Sequence, residues 1–277
     1  MGAQGGTRVE QARVKSSAPG DEVLYVVARA IATITLNRPE SRNALSIAAN
    51  ERLAALWDEI DRDNAVRVVV LTSADCGTFC AGMDLKEAAR IRAERGCDIL
   101  EVLKDPFYER MRRVRKPIIA AMTGHFTAGG MVLAMNADLR VGLAGTRGGI
   151  AEARFGRGSP WAVPLLWMLP QPVLMEMILT AEPMAIEHLH DLGFVNYVEA
   201  TPDGVRERAY ALAARILENA PLSVSAGKES ILRGMALGCD AGVAAAKELH
   251  RAVYASDDAR EGPRAFAEKR APRWTGR

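Results

Sequence analysis

Two glycine-bearing segments hold the residue types that could do chemistry. Thr78-Phe79-Cys80-Ala81-Gly82-Met83-Asp84-Leu85-Lys86 follows an apolar run that ends at Thr72, and Thr123-Gly124-His125-Phe126-Thr127-Ala128-Gly129-Gly130 follows another that ends at Met122. Glycine lets a backbone approach a ligand closely, and each segment reads as a turn into a helix, whose first N–H groups have no internal partner. Two such turns side by side would aim free N–H groups at one spot, which is the geometry of an oxyanion hole. Taken singly, each turn is equally a structural connection between strand and helix. Neither fits GxxxxGK[ST] or GxGxxG, which disfavours a nucleotide phosphate as ligand. Cys76, Cys80, Cys97 and Cys239 form no CxxC pair, and His125, His188, His190 and His250 are scattered, so no metal set is expected.

These turns need rigid elements behind them. Val23–Val27 and Ile31–Leu36 read as a β-hairpin. Ser46 is a plausible N-cap for a helix whose buried face is Leu53, Leu56, Trp57 and Ile60. Arg67–Thr72, Pro117–Met122 and Asp138–Leu143 are nearly continuous apolar runs, the pattern of buried parallel strands. Helix-like stretches lie between them, so the fold class is α/β. After about residue 200 the strands stop, and Val205, Ala209, Leu212, Ile216 and Leu217 make one helical stripe. The expected organisation is a flexible tail over 1–20, an α/β core over 21–200 and a helical C-terminal region over 201–277.

Composition sets the outer limits. The chain has 277 residues, 49% of them apolar and 25% charged, with a net charge of +2. That is ordinary globular composition and gives no reason to expect nucleic acid or an anionic membrane as partner. No apolar run reaches the roughly 18 residues of a membrane span. The N-terminus lacks the apolar stretch of a secretory signal and the cysteines suit a reducing compartment, so a cytoplasmic location is expected.

Taken together, the motifs resemble those of the enoyl-CoA hydratase/isomerase (crotonase) superfamily. Asn37-Arg38-Pro39 through Asn43-Ala44-Leu45 is similar to its opening signature, and Phe79 through Lys86 to its first oxyanion loop. Lys116-Pro117 through Gly129-Gly130 to Asp138 is similar to its second, and Leu179-Thr180, Leu192 through Asn196 and Phe266 through Arg270 to its later landmarks. The last 22 residues resemble those of the carnitinyl-CoA dehydratase branch, among others. The resemblance implies a crotonase-like spiral of ββα units with a C-terminal helical trimerisation region that also closes the site. It implies an acyl-CoA thioester as substrate and a homotrimer or dimer of trimers. Coenzyme A is part of the substrate, and no separate cofactor or metal is implied.

The same resemblance assigns residues. The thioester oxygen would lie between the backbone N–H groups of Met83 and Gly129, each such donor typically contributing about 3–4 kcal/mol to stabilising the enolate. The Met83 side chain would then shape the acyl pocket or simply fill the core. Glu152 matches the family's second catalytic glutamate, whereas Val132 stands where hydratases commonly carry the first. Gly156 through Pro164 replaces a glycine-rich loop, and Trp161 within it either walls the acyl pocket or packs between sheet and helices. Arg38, Asn43, Ala44, Ala81, Lys86, Phe266 and Lys269 fall at positions expected to meet coenzyme A, with Lys86 and Lys269 suited to its phosphates and Arg38 or Arg42 to its adenine end.

The resulting expectation is reversible hydration of a 2-enoyl-CoA, with Glu152 moving the protons. A double-bond isomerase and a hydroxyacyl-CoA lyase are the alternatives that a single glutamate also serves. A non-catalytic acyl-CoA-binding trimer is the alternative of another class, and a retained acid at 152 argues against it.

Overall fold

The computed structural model describes residues 13–16 and 21–277. In chain order its strands are β1 (Arg13–Ser16), β2 (Val23–Ala28), β3 (Ile31–Leu36), β4 (Val68–Ser73), β5 (Thr78–Cys80), β6 (Ile118–Met122), β7 (His125–Thr127), β8 (Leu139–Leu143), β9 (Arg147–Gly149), β10 (Met184–Ala185) and β11 (Tyr197–Glu199). The α-helices are α1 (Ile47–Arg62), α2 (Leu85–Arg95), α3 (Ile99–Val102), α4 (Glu109–Arg112), α5 (Gly129–Asn136), α6 (Gln171–Thr180), α7 (Ile186–Asp191), α8 (Pro202–Leu217), α9 (Pro221–Leu237), α10 (Cys239–Ala255) and α11 (Asp257–Ala267).

Among the described residues these strands make two sheets, one of seven in the order β1-β2-β3-β4-β6-β8-β11 and one of four in the order β10-β9-β7-β5. The three apolar runs are β4, β6 and β8, paired in parallel at the centre of the larger sheet. Their alternate residues feed two cores. Val69, Leu71, Ile118, Ala120 and Met122 pack with Leu53, Leu56, Trp57 and Ile60 of α1. Val68, Val70, Ile119, Ala121 and Val141 pack on the other side against Val205, Ala209 and Ala213 of α8. Each fully buried Val, Leu, Ile or Met side chain contributes roughly 1.5–3 kcal/mol of hydrophobic stabilisation, so burial on both faces anchors the sheet.

Each central strand is followed by a short strand of the second sheet: β4 by β5, β6 by β7, β8 by β9. β5, β7 and β9 run parallel to one another, with Thr78 paired to His125 and Thr127 to Gly149. This repeated step from large sheet to small sheet to helix is the ββα spiral, and it sends three successive loops off the same end of the small sheet.

Two local features lie outside what the patterns indicate. The β2–β3 turn is Arg29–Ala30, at φ 50° and 61°, the left-handed pair that suits a two-residue hairpin even though neither is Gly or Asn. Residues 13–16, assigned to a flexible tail, form β1 antiparallel to β2. Edge pairing uses backbone groups and demands little of the side chains. The rest of that tail lies outside the described residues.

Past β11 the chain is helical, as the stripe indicates. Ser46, Thr201 and Ser256 cap α1, α8 and α11 through their hydroxyls. Lys228 on α9 reaches back to the core, donating to Asp138 Oδ2 at 2.7 Å and to the Lys116 carbonyl at 3.0 Å. The last residues fold onto α11: Glu261 accepts from Arg270 at 2.6 Å and from the Arg273 backbone at 2.8 Å, and Asp258 accepts from the backbones of Thr275 and Gly276. No helix among the described residues is long and apolar enough to cross a membrane.

Candidate active site

The first loop leaves β5 as Ala81-Gly82-Met83. A short parallel bridge to Leu45 fixes it: Leu45 N–H donates to the Gly82 carbonyl at 2.7 Å, and Asp84 N–H donates to the Leu45 carbonyl at 3.0 Å. That pattern passes over the N–H of Met83, which has no acceptor among the described residues. Asp84 then caps α2 by accepting from the Lys86 and Glu87 backbones at 3.1 and 3.2 Å. Partial burial works against its ionisation, but the Glu87 N–H and the Arg38 guanidinium outweigh it and hold the carboxyl below its ordinary value.

The second loop leaves β7 as Ala128-Gly129. The Ala128 N–H donates to the Gly149 carbonyl at 3.1 Å, while that of Gly129, at the first position of α5, has no acceptor among the described residues. Because β5 and β7 are parallel neighbours, the two free N–H groups emerge together. The packing there is tight: a Cβ on Gly82 would stand 2.8 Å from Ala128 Cβ and 3.0 Å from the Gly129 nitrogen, and one on Gly130 would stand 2.3 Å from the Cys80 carbonyl oxygen. Ala128 itself sits at φ 50° and ψ −117°, a conformation that glycine takes more readily. The far end of α5 is pinned by buried Arg140, which donates to the carbonyls of Ala134, Ala137 and Phe194. Burial pulls that guanidinium down to about 10.

The third loop leaves β9 and delivers Glu152, the first residue of a 3₁₀ turn over Glu152–Phe155. Its Oε1 accepts from Trp161 Nε1 at 3.1 Å, and its Oε2 is buried without a hydrogen-bond partner. Burial raises the carboxyl above its ordinary value, against the stabilising N–H groups nearby and the positive charge of Arg157. Arg157 is itself held by both oxygens of Asp98, at 3.0 and 2.7 Å. A second 3₁₀ stretch, Pro160–Trp167, presents Trp161, 7% exposed.

One cavity of about 400 Å³ joins the three loops. Ala81, Met83, Gly129, Val132, Glu152 and Trp161 all line it, so it gathers both expected N–H donors, the retained acid and both expected pocket residues. Val132 is 2% exposed, three residues into α5 from Gly129, and puts an apolar surface where a second carboxylate would stand. Arg42, expected at the adenine end of coenzyme A, also lines it, and so do Leu103, Phe107, Tyr108 and Asn50, which are not picked out by the sequence. The Tyr108 hydroxyl donates to Asn50 Oδ1, and the Asn50 amide donates to the Ser46 carbonyl at 2.8 Å. A polar residue on the buried face of α1 was the available signal for Asn50. Cys80 lies close by, but burial pushes its thiol up to about 12, which removes it as a nucleophile at neutral pH.

The other expected contacts lie off this cavity. Arg38 is engaged with Asp84 at 3.0 Å, Glu22 at 3.1 Å and the Ala44 carbonyl at 2.8 Å, so it braces the first loop. Asn43 is 1% exposed, its amide donating to the carbonyls of Ala74 and Thr78 and its oxygen accepting from the Arg38 backbone. These bonds tie the left-handed turn, at φ 51°, to the chain around Ala74 and Thr78 and occupy the side chain. Lys86 is exposed beside Leu85, which lines the cavity. Phe266, 87% exposed, and Lys269 are on the outer surface of the C-terminal region and do not line this cavity.

Two aimed N–H groups and one bare carboxylate oxygen are the apparatus for stabilising a thioester enolate and moving a proton beside it. Comparisons with known proteins agree. Residues 27–277 match the family model for enoyl-CoA hydratase/isomerase. The chain is 35% identical over 257 residues to enoyl-CoA hydratase EchA19 of Mycobacterium tuberculosis, covering 88% of this chain and 92% of that one. It is 32% identical to the (E)-benzylidenesuccinyl-CoA hydratase of Thauera aromatica, covering 92% and 99%. A crystal structure of an enoyl-CoA hydratase from Mycobacterium tuberculosis H37Rv superposes with a TM-score of 0.81 at 37% identity, covering 92% of this chain and 99% of that one. The chain has the crotonase fold and belongs to the enoyl-CoA hydratase/isomerase family.

Proposed function

We propose that the protein reversibly hydrates a 2-enoyl-CoA thioester, with Glu152 as the one acid–base residue. The observation that carries this reading is the bare, buried Oε2 of Glu152 in the cavity shared by the free N–H groups of Met83 and Gly129. The thioester oxygen lies between those two donors. Glu152 accepts a proton from water as the water oxygen bonds to C3, and negative charge moves onto the thioester oxygen as an enolate. The neutral Glu152 then gives that proton to C2 as the enolate collapses. Water is thereby added across the double bond and the carboxylate is regenerated. Its raised affinity for protons suits a group that must both accept and return one. Nothing in this cycle calls for a cofactor beyond the coenzyme A that the substrate carries.

Val132 favours the second reading, a double-bond isomerase. With no second carboxylate to hold water, the same Glu152 can carry a proton between C2 and C4. It also bears on the acyl group. The wall of Leu103, Phe107, Tyr108 and Trp161 suits a bulkier acyl chain than crotonyl, and one relative is named for an aryl-substituted succinyl thioester. A panel of enoyl-, 3-enoyl- and 3-hydroxyacyl-CoA thioesters, read by mass spectrometry and by loss of enoyl absorbance, separates hydratase from isomerase and lyase. We expect slow hydration of crotonyl-CoA and a gain of up to about 10²-fold in Val132→Glu. A fast parent with no gain in the variant would refute the role given to Val132.

Lys86, exposed beside the cavity-lining Leu85, would meet the phosphates of coenzyme A. Phe266 and Lys269 would serve from a neighbouring copy. Exposed Ile231, Tyr254 and Phe266 on α9–α11 support a homotrimer or dimer of trimers, since such apolar surface is normally covered. Sedimentation as a monomer of about 30 kDa would contradict that. We place the enzyme in the cytoplasm, in keeping with its four free cysteines.

A further inference from the structure

The cavity wall contains a pairing that no motif marks. Trp161 and Glu152 are nine residues apart in irregular chain, yet the indole N–H of one donates to Oε1 of the other at 3.1 Å. The indole is held in place: Pro160 opens its 3₁₀ turn, Pro164 stiffens it, and the ring is 7% exposed. The other charged and titratable groups around the carboxylate are committed elsewhere. Arg157 is paired to both oxygens of Asp98, and Arg154 is paired to Glu182. Among the cavity's other polar side chains, the Tyr108 hydroxyl donates to Asn50, and Arg42 lines the cavity from the end of the 3₁₀ turn over Pro39–Ser41. Among the described residues, Trp161 is therefore the only side chain that hydrogen-bonds the Glu152 carboxylate.

We propose that Trp161 is a positioning residue for Glu152: its indole N–H fixes Oε1, so that Oε2 is the atom that takes and returns the proton. The proposal rests on the reading of Glu152 as the acid–base residue. Its physical basis is twofold. A carboxylate anchored through one oxygen loses rotation about its last bond, which keeps the other oxygen directed at the reacting carbons. An N–H donor also stabilises the anion selectively and so works against burial, which favours the neutral form. The second consequence matters here because Val132 gives Glu152 no acidic neighbour with which to share a proton.

The test replaces Trp161 with β-(3-benzothienyl)alanine, which puts sulfur where the indole has N–H and keeps the bicyclic shape, alongside Trp161→Phe. The pH dependence of kcat/KM, kcat and KM is measured for both, and product thioester is titrated to show that the site is folded. One hydrogen bond to a charged group corresponds to about one to two pH units. The acidic limb is expected to move up by about one unit and kcat to fall about tenfold at neutral pH, with KM within about threefold. An acidic limb that stays in place in the sulfur isostere, with kcat within twofold, overturns the proposal. So does a lower kcat or higher KM with an unmoved limb, which is what a packing role alone would give. Glu152→Gln separates the two claims: if it retains turnover, the reading of Glu152 fails. If it loses turnover while the isostere keeps the parental pH profile, only the role of Trp161 fails.

Discussion

The two halves of this site are built on different principles. In the proposed mechanism the half that would hold the thioester oxygen is backbone: Met83 and Gly129 would contribute N–H groups, and their loops touch so closely that a single Cβ on Gly82 would intrude on both Ala128 and the Gly129 nitrogen. The half that would handle protons is side chain: Glu152 and Trp161 come from two 3₁₀ stretches and Val132 from α5, and all three line one cavity. A backbone site is constrained by sterics, and nearly any change near it is a collision. A side-chain site is constrained by chemistry, and one residue can be exchanged without disturbing the scaffold.

That contrast can be broken at three positions. The largest effect is expected from Glu152→Gln, which keeps volume but removes the base. Turnover should fall about 10²–10⁴-fold while acyl-CoA affinity, measured by calorimetric titration, stays put. Turnover within threefold of the parent would move the base elsewhere. Next is Gly82→Ala on the backbone side. With φ at 93° and its methyl 3.0 Å from the Gly129 nitrogen, the variant should lose the use of one donor and about 10²–10³ in kcat. Its acidic limb should not move, because Glu152 is untouched.

The third prediction concerns stability and pH. Burial raises the Glu152 carboxyl above its ordinary value of 4.5, so the folded protein holds that proton more tightly than the unfolded chain. The stability this contributes is fully present below about 4.5 and is lost as pH rises through the raised value. Above that, the fold carries a charged carboxylate that is poorly solvated. Glu152→Gln should therefore melt higher than the parent at pH 8, and the gap should close as the pH is lowered toward 4.5. A gap independent of pH would assign the effect to something other than ionisation. The smallest effect belongs to Ala128→Gly. Relieving φ 50°, ψ −117° should stabilise the fold by about 1 kcal/mol, which is roughly 2–4 °C in Tm, with kcat within twofold. A loss of stability would mean that the alanine is not strained there.

Legibility in the sequence follows the same division. Buried parallel strands announce themselves as continuous apolar runs, and a backbone donor announces itself through glycine beside it, so β4, β6, β8 and both N–H loops could be read. The small sheet could not, because strands of three residues such as β5, β7 and β9 are too short to display a period, yet this sheet is what brings the three loops together. The hairpin turn at Arg29–Ala30 lacks the residues that usually mark it. Asn43 reads as a ligand contact in the sequence, whereas in the fold its amide is spent on the Ala74 and Thr78 carbonyls. The Trp161–Glu152 hydrogen bond was out of reach for another reason: a contact across nine residues of irregular loop follows from no periodicity at all.

The proposed mechanism divides the labour, with backbone polarising the thioester and Glu152 moving protons. Isotope-edited infrared difference spectroscopy of a bound enoyl-CoA, labelled with ¹³C at the thioester carbonyl, tests it directly. The carbonyl stretch should shift to lower wavenumber on binding to the parent and shift equally in Glu152→Gln, which binds but does not turn over. In Gly82→Ala most of the shift should vanish. A shift that disappears with Glu152, or one that persists undiminished in Gly82→Ala, would contradict the claim.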